Sequence, residues 1–221
     1  QRIALARAFA SQPEILLLDE PFSALDTHLR DRLEKLLIAN VTNYRGVTLF
    51  ITHNLEEAYR VCHDLLVIEG GKIVAQGVKQ NIFERPPTLS VAKLTGCKNF
   101  SRVVARPGDR IEAIDWGCTL KTVEEIPESL SHVGIRAHQI AFVDDPYNVS
   151  DDPDRNIFPC WLVATSETPH RMTLFLKLHE PPTDPQDYHL QAEVFKEKWY
   201  GIEKLPFPWG VSLQAARLIL V

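Results

Sequence analysis

The chain has 221 residues and a formal net charge of −5; 45% of its residues are hydrophobic and 24% are charged. This is the balance of an ordinary globular protein, and the length is enough for one or two domains with a sizeable core. The slight acidity and the lack of a large basic block argue against nucleic acid as a partner.

The first predicted elements bring two acids to the end of a strand. Residues 2–10 are good or acceptable helix formers and predict a helix. The four apolar residues at 15–18 predict a strand buried on both faces, as in a parallel sheet covered by helices. Asp19 and Glu20 close this strand, and Pro21, which has no N–H to donate to a ladder, ends it.

The position of this acid pair suggests a chemical role. In open α/β sheets, ligands bind beyond the carboxyl ends of the strands, so Asp19 and Glu20 lie where a ligand would be. Two adjacent acids can divide the work of phosphoryl transfer, one holding Mg²⁺ while the other orients or deprotonates a water molecule. The alternative is a strand end that carries two solvated acids.

A second strand is predicted to end beside the first. Asp26 or Thr27 is expected to cap a helix over 27–43, and residues 47–52 indicate another buried strand. His53 stands at the carboxyl end of that strand, level with the acid pair if the sheet is parallel. The other elements predicted before residue 97 are a helix at 55–61 capped by Asn54, strands at 64–69 and 72–76 joined by Gly70-Gly71, and short helices at 81–83 and 90–94.

After Gly96 the composition changes, and prolines and short apolar runs replace the helical pattern. Residues 144–156, rich in Asp and Pro, predict a solvated loop. Many short strands with turn signals between them indicate an all-β small barrel. The predicted strands are 101–105, 111–114, 118–123, 133–135, 140–143, 157–165, 172–178, 190–195 and 218–221.

Four motifs carry a resemblance to a known family. They are Q-R-I-A-L-A-R-A at 1–8, L-L-L-D-E-P at 16–21, S-A-L-D at 23–26 and I-T-H at 51–53. In order and spacing they resemble the second half of an ATP-binding cassette (ABC) ATPase. The resemblance implies an α/β fold, part of a P-loop NTPase domain with a parallel sheet and helices, and it implies ATP and Mg²⁺ as cofactors.

The same resemblance implies roles for individual residues. Asp19 would bind Mg²⁺ through water, Glu20 would polarise the attacking water, and His53 would reach the γ-phosphate and hold that water in line. Three further residues would lie at the nucleotide site and the dimer interface: Asp26, Ser23 and Gln1.

Further motifs narrow the resemblance. P-F-S-A-L-D at 21–26 and L-T-G-C-K-N at 94–99 resemble the ATPase subunits of molybdate/sulfate-type importers. V-G-I-R-A-H at 133–138 resembles the entry to the OB-like accessory domain called TOBE. Residues 1–96 would then be the C-terminal half of an ABC nucleotide-binding domain, and residues 97–221 would be a β-rich, TOBE-like regulatory domain.

Partners and location follow from this resemblance. Such a subunit would form a homodimer on transmembrane permease subunits, at the cytoplasmic face of the membrane, and would serve a periplasmic or extracellular substrate-binding protein indirectly. It would couple ATP hydrolysis to uptake of a small solute, an oxyanion such as molybdate or sulfate.

No apolar run approaches the roughly 18–20 residues of a membrane helix, and no signal peptide is seen. The four cysteines form no C-x-x-C pair, so neither a zinc site nor a disulfide framework is predicted.

Two other functions stay open: a regulatory β module that binds the oxyanion itself, and a non-transport ABC ATPase. The chain has no G-x-x-x-x-G-K-[S/T] phosphate loop, and the family's signature motif would lie upstream of Gln1. We therefore expect a piece of a longer protein that is inactive alone. Some apolar surface of strands 15–18 and 47–51 would be uncovered, which favours self-association.

Overall fold

The computed structural model describes residues 2–23, 25–42, 44–143 and 156–221. The chain divides into two compact units, 1–82 and 83–221. The first unit alternates helices and strands around a parallel strand pair, and the second contains two five-stranded sheets.

In the first unit, the predicted order of helices and strands is confirmed. The elements are α1 (Arg2–Ala10), β1 (Ile15–Asp19), α2 (Thr27–Val41), β2 (Val47–Ile51), α3 (Leu55–Val61), β3 (Asp64–Glu69) and β4 (Lys72–Val78), followed by α4 (Lys79–Glu84). Strands β3 and β4 form an antiparallel hairpin. Its turn places Gly70 and Gly71 at φ values of +55° and +75°, a region that glycine adopts without steric cost.

The parallel pair β1–β2 packs one face against a core and leaves the other face exposed. Leu16 and Leu18 are 3% and 6% exposed and pack with Phe22, whereas Leu17 between them is 66% exposed. Leu49 on β2 is 45% exposed. The prediction that these strands are buried on both faces is therefore wrong. The physical reason is that the helices whose side chains join this core, α1, α2 and α3, cover one face of the strand pair. The uncovered apolar surface on the other face was expected from the sequence.

The second unit is β-rich, as predicted. Its helices are α5 (Leu89–Leu94) and α6 (Lys196–Ile202), with single 3-10 turns at Ile114–Trp116, Ala137–Gln139 and Ala215–Arg217. Its strands are β5 (Asn99–Arg106), β6 (Arg110–Ala113), β7 (Cys118–Lys121), β8 (His132–Ile135), β9 (Ala141–Val143), β10 (Ile157–Glu167), β11 (Arg171–Leu178), β12 (Leu190–Phe195), β13 (Trp209–Ser212) and β14 (Ile219–Leu220).

The two antiparallel sheets of the second unit share one core. One sheet has the strand order β12-β11-β10-β13-β9 and the other β14-β8-β5-β6-β7. Fully buried residues from both sheets, such as Leu120 and Leu176, belong to the same apolar cluster. The buried Asn99 of β5 links the sheets, because its side-chain amide donates to the carbonyl of Ile135 at 3.0 Å and to that of Gln191 at 2.9 Å. The N–H of Gln191 donates back to Asn99 Oδ1 at 2.6 Å.

The compact units divide at a different residue from the predicted domains. Residues 83–96 pack within the second unit, where the buried Arg136 donates to the carbonyl oxygens of Phe83 and Thr95. Compact units are defined by contacts within the structure, whereas the predicted domains are defined by resemblance to a family. The domain boundary at 96/97 therefore stays a prediction. Strand β13 and helix α6 were not predicted from the sequence, and most of the predicted loop at 144–156 lies outside the described residues.

Candidate functional site

The candidate site lies at the carboxyl ends of β1 and β2. The parallel register pairs Asp19 with Ile51, and the N–H of Glu20 extends the pairing by donating to the carbonyl O of Ile51 at 2.9 Å. Both strands therefore end at the same edge, which is where ligands bind in open α/β sheets. Glu20, which follows one strand, meets His53, which follows the other.

The Glu20 carboxylate and the His53 imidazole are in direct contact. Oε1 of Glu20 lies 2.5 Å from Nδ1 of His53. The hydrogen bond to this carboxylate, followed by its negative charge, raises the pKa of His53 above its ordinary value. The His53 side chain is 82% exposed and that of Glu20 33% exposed, so water or a ligand can reach both.

The turn after β1 holds Glu20 in an uncommon backbone conformation. Its φ is +45°, a left-handed value that costs a non-glycine residue about 1–2 kcal/mol. The turn compensates through the Glu20 carbonyl O, which accepts the N–H of Ser23 at 3.2 Å and its hydroxyl at 2.9 Å, and through Phe22, which is completely buried. Such over-determined strain is frequent at functional sites.

The turn that carries His53 is held by its neighbours. Asn54 caps α3 as predicted, because its Oδ1 accepts the N–H groups of Glu56 at 2.9 Å and Glu57 at 3.2 Å. The hydroxyl of Thr52 accepts the N–H of Asn54 at 3.0 Å and donates to Oε2 of Glu57 at 2.8 Å. The residues on both sides of His53 are therefore fixed to the first turn of α3.

Asp19, the implied Mg²⁺ ligand, is exposed at the last position of β1. Mg²⁺ commonly keeps several waters and takes one or two carboxylates together with substrate phosphates, so a single exposed carboxylate fits an ion held through water. Within the described part of the chain, no group of three His, Cys, Asp or Glu side chains could hold a metal ion. This donor set therefore suits an ion bound together with a phosphate ligand and does not suit a protein-only metal cage.

Two other residues implied by the resemblance, Ser23 and Asp26, have no hydrogen bond to the Glu20 carboxylate or the His53 ring among the described contacts. Ser23 uses its hydroxyl within the turn after β1. Asp26 is exposed at the N-cap position of α2 and its side chain makes no capping hydrogen bond, and Thr27 is already inside the helix. Asp26 therefore occupies the predicted cap position, but the expected side-chain hydrogen bond is absent. Gln1 lies outside the described residues.

Comparison with known proteins adds a family relationship to this geometry. The chain is 43% identical over 210 residues to the spermidine/putrescine import ATP-binding protein PotA of Oleidesulfovibrio alaskensis, a match that covers 89% of this chain and 54% of that relative. It is 36% identical over 129 residues to a sulfate/thiosulfate import ATP-binding protein of Chromobacterium violaceum, covering 58% of this chain and 35% of that relative. Its relatives are the ATP-binding subunits of ABC importers. The chain spans about half, or less, of the length of the curated relatives it matches.

These importer relatives are named for different solutes, a polyamine in one case and sulfate or thiosulfate in the other, so similarity alone selects no substrate. No family model matches the sequence. Among solved structures, the cytoplasmic molybdate-binding protein ModG aligns with 56% of this chain and 95% of its own, with a TM-score of 0.42 and 13% identity. A likeness of this size carries no conclusion about fold or ligand. No helix among the described residues is long and apolar enough to cross a membrane.

The sequence analysis missed Glu57, which the structure connects to the turn of His53. A signal was available, because Asn54 and Glu57 have the spacing of a capping box, in which the acid reaches back to the N–H of the cap residue. Here Thr52 takes that N–H, and Glu57 bonds to the Thr52 hydroxyl instead. The sequence pattern could have identified the turn, but it could not have shown that Thr52 lies between Glu57 and the N–H of Asn54.

Proposed function

We propose that this chain is the C-terminal part of the ATP-hydrolysing subunit of an ABC importer. The observation that carries the proposal is the contact between Glu20 and His53 at the carboxyl ends of two neighbouring parallel strands. Similarity to importer ATP-binding subunits supports the same function. In this proposal residues 1–96 are the second half of the nucleotide-binding domain, and residues 97–221 are a TOBE-like, OB-like regulatory domain.

The chemistry assigned to the pair is hydrolysis of the γ-phosphate of ATP. Glu20 polarises the attacking water as general base. His53 donates its Nδ1–H to Glu20, and the raised pKa favours a second proton on Nε2, which then donates to a γ-phosphate oxygen. Asp19 would hold Mg²⁺, and the bound ion would supply positive charge to the phosphates.

The rest of the nucleotide site is assigned to other segments and to a second subunit. Ser23, Asp26 and Gln1 contribute at the nucleotide and dimer interface of a homodimer. That dimer works on transmembrane permease subunits at the inner face of the membrane, with a substrate-binding protein as an indirect partner. The narrower motifs at 21–26 and 94–99 support an oxyanion such as molybdate or sulfate as the solute.

The deciding experiment replaces the proposed base in the longer subunit. Glu20→Gln keeps the size of the side chain and removes the base, so we expect ATP hydrolysis to fall almost to zero while ATP still binds. Glu14→Gln, at an exposed position just before β1, is the matched control and should hydrolyse ATP at the wild-type rate. Turnover by Glu20→Gln at the wild-type rate would show that Glu20 is not the base.

A second experiment tests the 221-residue chain by itself. The oriented N–H groups and lysine of a phosphate loop supply most contacts to the β- and γ-phosphates, and this sequence contains no such loop. We expect no ATPase activity and weak binding of Mg-ATP in calorimetric titration. A sub-micromolar dissociation constant would contradict the proposal that the rest of the site lies on other segments.

A further inference from the structure

Glu57 is a buried carboxylate that the proposed chemistry does not use. It lies on α3 and is 4% exposed. Its two oxygens have different partners: Oε2 accepts the hydroxyl of Thr52 at 2.8 Å, and Oε1 lies 3.7 Å from Nε of Arg30 on α2. A buried charge is costly unless it is paired, so these partners hold the carboxylate in one position.

The hydrogen-bond chemistry of Thr52 makes this contact directional. A carboxylate can only accept, so the single hydroxyl proton of Thr52 must point at Glu57. The lone pairs of the same oxygen are then directed to the N–H of Asn54, which donates at 3.0 Å. Without Glu57 the hydroxyl proton could rotate, and the acceptor position for the N–H of Asn54 would no longer be fixed.

The hydrogen bonds of Thr52 and Asn54 fix the backbone on both sides of His53. Thr52 and Asn54 are its two chain neighbours, and both are tied to α3, the first through Glu57 and the second through its capping bonds. The imidazole itself is 82% exposed, and its polar contact among the described residues is the one with Glu20. Its direction therefore depends mainly on the backbone that carries it.

A second ion pair supports the same arrangement. Nε of Arg60 on α3 lies 3.0 Å from Oε1 of Glu34 on α2, and Glu34 is 3% exposed. Helices α2 and α3 are thus joined by two pairs of opposite polarity, Arg30 with Glu57 and Glu34 with Arg60. Both pairs hold α3, the helix that carries Glu57, against α2.

We propose that Glu57, acting through the Thr52 hydroxyl, is a positioning residue that aims the His53 imidazole at Glu20. The hydrogen bonds from Thr52 to Glu57 and from Asn54 to Thr52 fix this geometry. Its consequence for hydrolysis rests on the proposed function of Glu20 and His53.

The geometry can be tested on the 221-residue chain without nucleotide. With ¹⁵N-labelled histidine and a fixed pH, the ring nitrogens of His53 report whether Nδ1 is bonded to a side-chain oxygen, and Glu20→Ala, which has no acceptor, supplies the reference for the unbonded ring. We expect Thr52→Val and Glu57→Leu to move the His53 signals at least halfway to that reference. Thr52→Ser and Glu57→Gln, which keep a hydroxyl donor or an oxygen acceptor, should leave them near the wild-type position.

The control for these variants is Glu56→Gln on the same helical turn. The Glu56 side chain is 83% exposed and pairs with Arg60, away from Thr52, so its removal should leave the His53 ring signals unchanged. If Glu57→Leu does not fold, Thr52→Val and Thr52→Ser still test the inference, because the first removes the hydroxyl and the second keeps it. Unchanged His53 signals in folded Thr52→Val would overturn the inference.

The catalytic consequence is measured in the longer subunit. Thr52→Val should lower kcat for ATP hydrolysis by about 10- to 100-fold, the cost of a small misplacement of a catalytic group, and leave KM for ATP within about twofold. Wild-type kcat in Thr52→Val would overturn the positioning role in catalysis. Failure of the proposed function would instead appear as normal hydrolysis by Glu20→Gln, and the nuclear magnetic resonance comparison would still decide the geometry.

Discussion

The two units differ in how completely their sheets are covered. In the second unit both sheets contribute to a core in which Leu120 and Leu176 are completely buried, whereas in the first unit Leu16 is buried and its neighbour Leu17 is exposed. Yet the Glu20–His53 contact lies in the less completely covered unit. The local geometry of this site therefore depends on strand pairing and on hydrogen bonds within two turns, and it does not require a sheet covered on both faces.

Truncation of a side chain in the core of the second unit should destabilise the protein most strongly. Leu176→Ala should lower the free energy of unfolding by about 3 kcal/mol, because it removes buried methyl groups from a site that is completely enclosed. Urea unfolding followed by tryptophan fluorescence measures this unit alone, because the four tryptophans are Trp116, Trp161, Trp199 and Trp209. A loss below about 1 kcal/mol would mean that this core is not tightly packed.

The next test uses adjacent residues of β1 to measure the difference between its faces. Leu16→Ala should cost the first unit about 2–3 kcal/mol, whereas Leu17→Ala should cost less than about 0.5 kcal/mol. Hydrogen exchange detected by mass spectrometry on peptides from residues 2–78 gives both values. Equal losses in the two variants would indicate that another surface covers Leu17 in solution.

Alkaline pH should weaken the second unit through its buried thiols. Burial raises the pKa of Cys118 and of Cys160 to about 12. Between about pH 8.5 and 12 the unfolded chain releases these protons while the folded unit keeps them, so stability is complete below this window and falls as the pH rises through it. Each thiol contributes a slope of at most about 1.4 kcal/mol per pH unit.

The same tryptophan fluorescence measures this alkaline effect, and Cys160→Ala provides the comparison. Groups other than the thiol contribute equally in both proteins, so the variant should lose stability less steeply between pH 9 and 10. Parallel slopes in the two proteins would rule out a contribution from Cys160.

The smallest effect concerns the exposed pair in the first unit. Glu20 raises the pKa of His53, so Glu20→Gln should lower that pKa toward its ordinary value. The His53 imidazole then loses its proton at lower pH than in the wild type, which proton resonances of the ring follow directly. Glu56→Gln should leave the titration unchanged, and an unchanged titration in Glu20→Gln would argue that the contact does not persist in solution.

Much of the first unit could be predicted because its signals are local. The acid pair after a run of apolar residues located the end of β1. Because His53 follows β2, a parallel pairing of the two strands predicts that His53 lies beside the acid pair. Asn54 was recognisable as a cap from its place before α3. Each of these inferences needs only a few neighbouring residues and one assumption about the sheet.

The features that were missed depend on contacts that are distant in sequence. Strand β13 is four residues long, follows Pro208 and contains Gly210, so its pattern does not indicate a strand, and pairing with β10 and β9 makes it one. Exposure of Leu17 depends on which elements surround the sheet, and four apolar residues in a row contain no information about that. The partner of Glu57 was likewise set by packing of α3 against α2.

The side chain of Asn99 has a consequence for the rate at which the second unit folds. Its amide bonds to the backbone of Ile135 and of Gln191, which are separated from it by 36 and 92 positions along the chain. Closing such long loops costs chain entropy before any contact is gained, and proteins rich in them fold in milliseconds to seconds. The β3–β4 hairpin, which is closed by the two residues Gly70 and Gly71, can form within about 1–10 microseconds. During refolding, the link between β5 and β12 through Asn99 should therefore form after this hairpin.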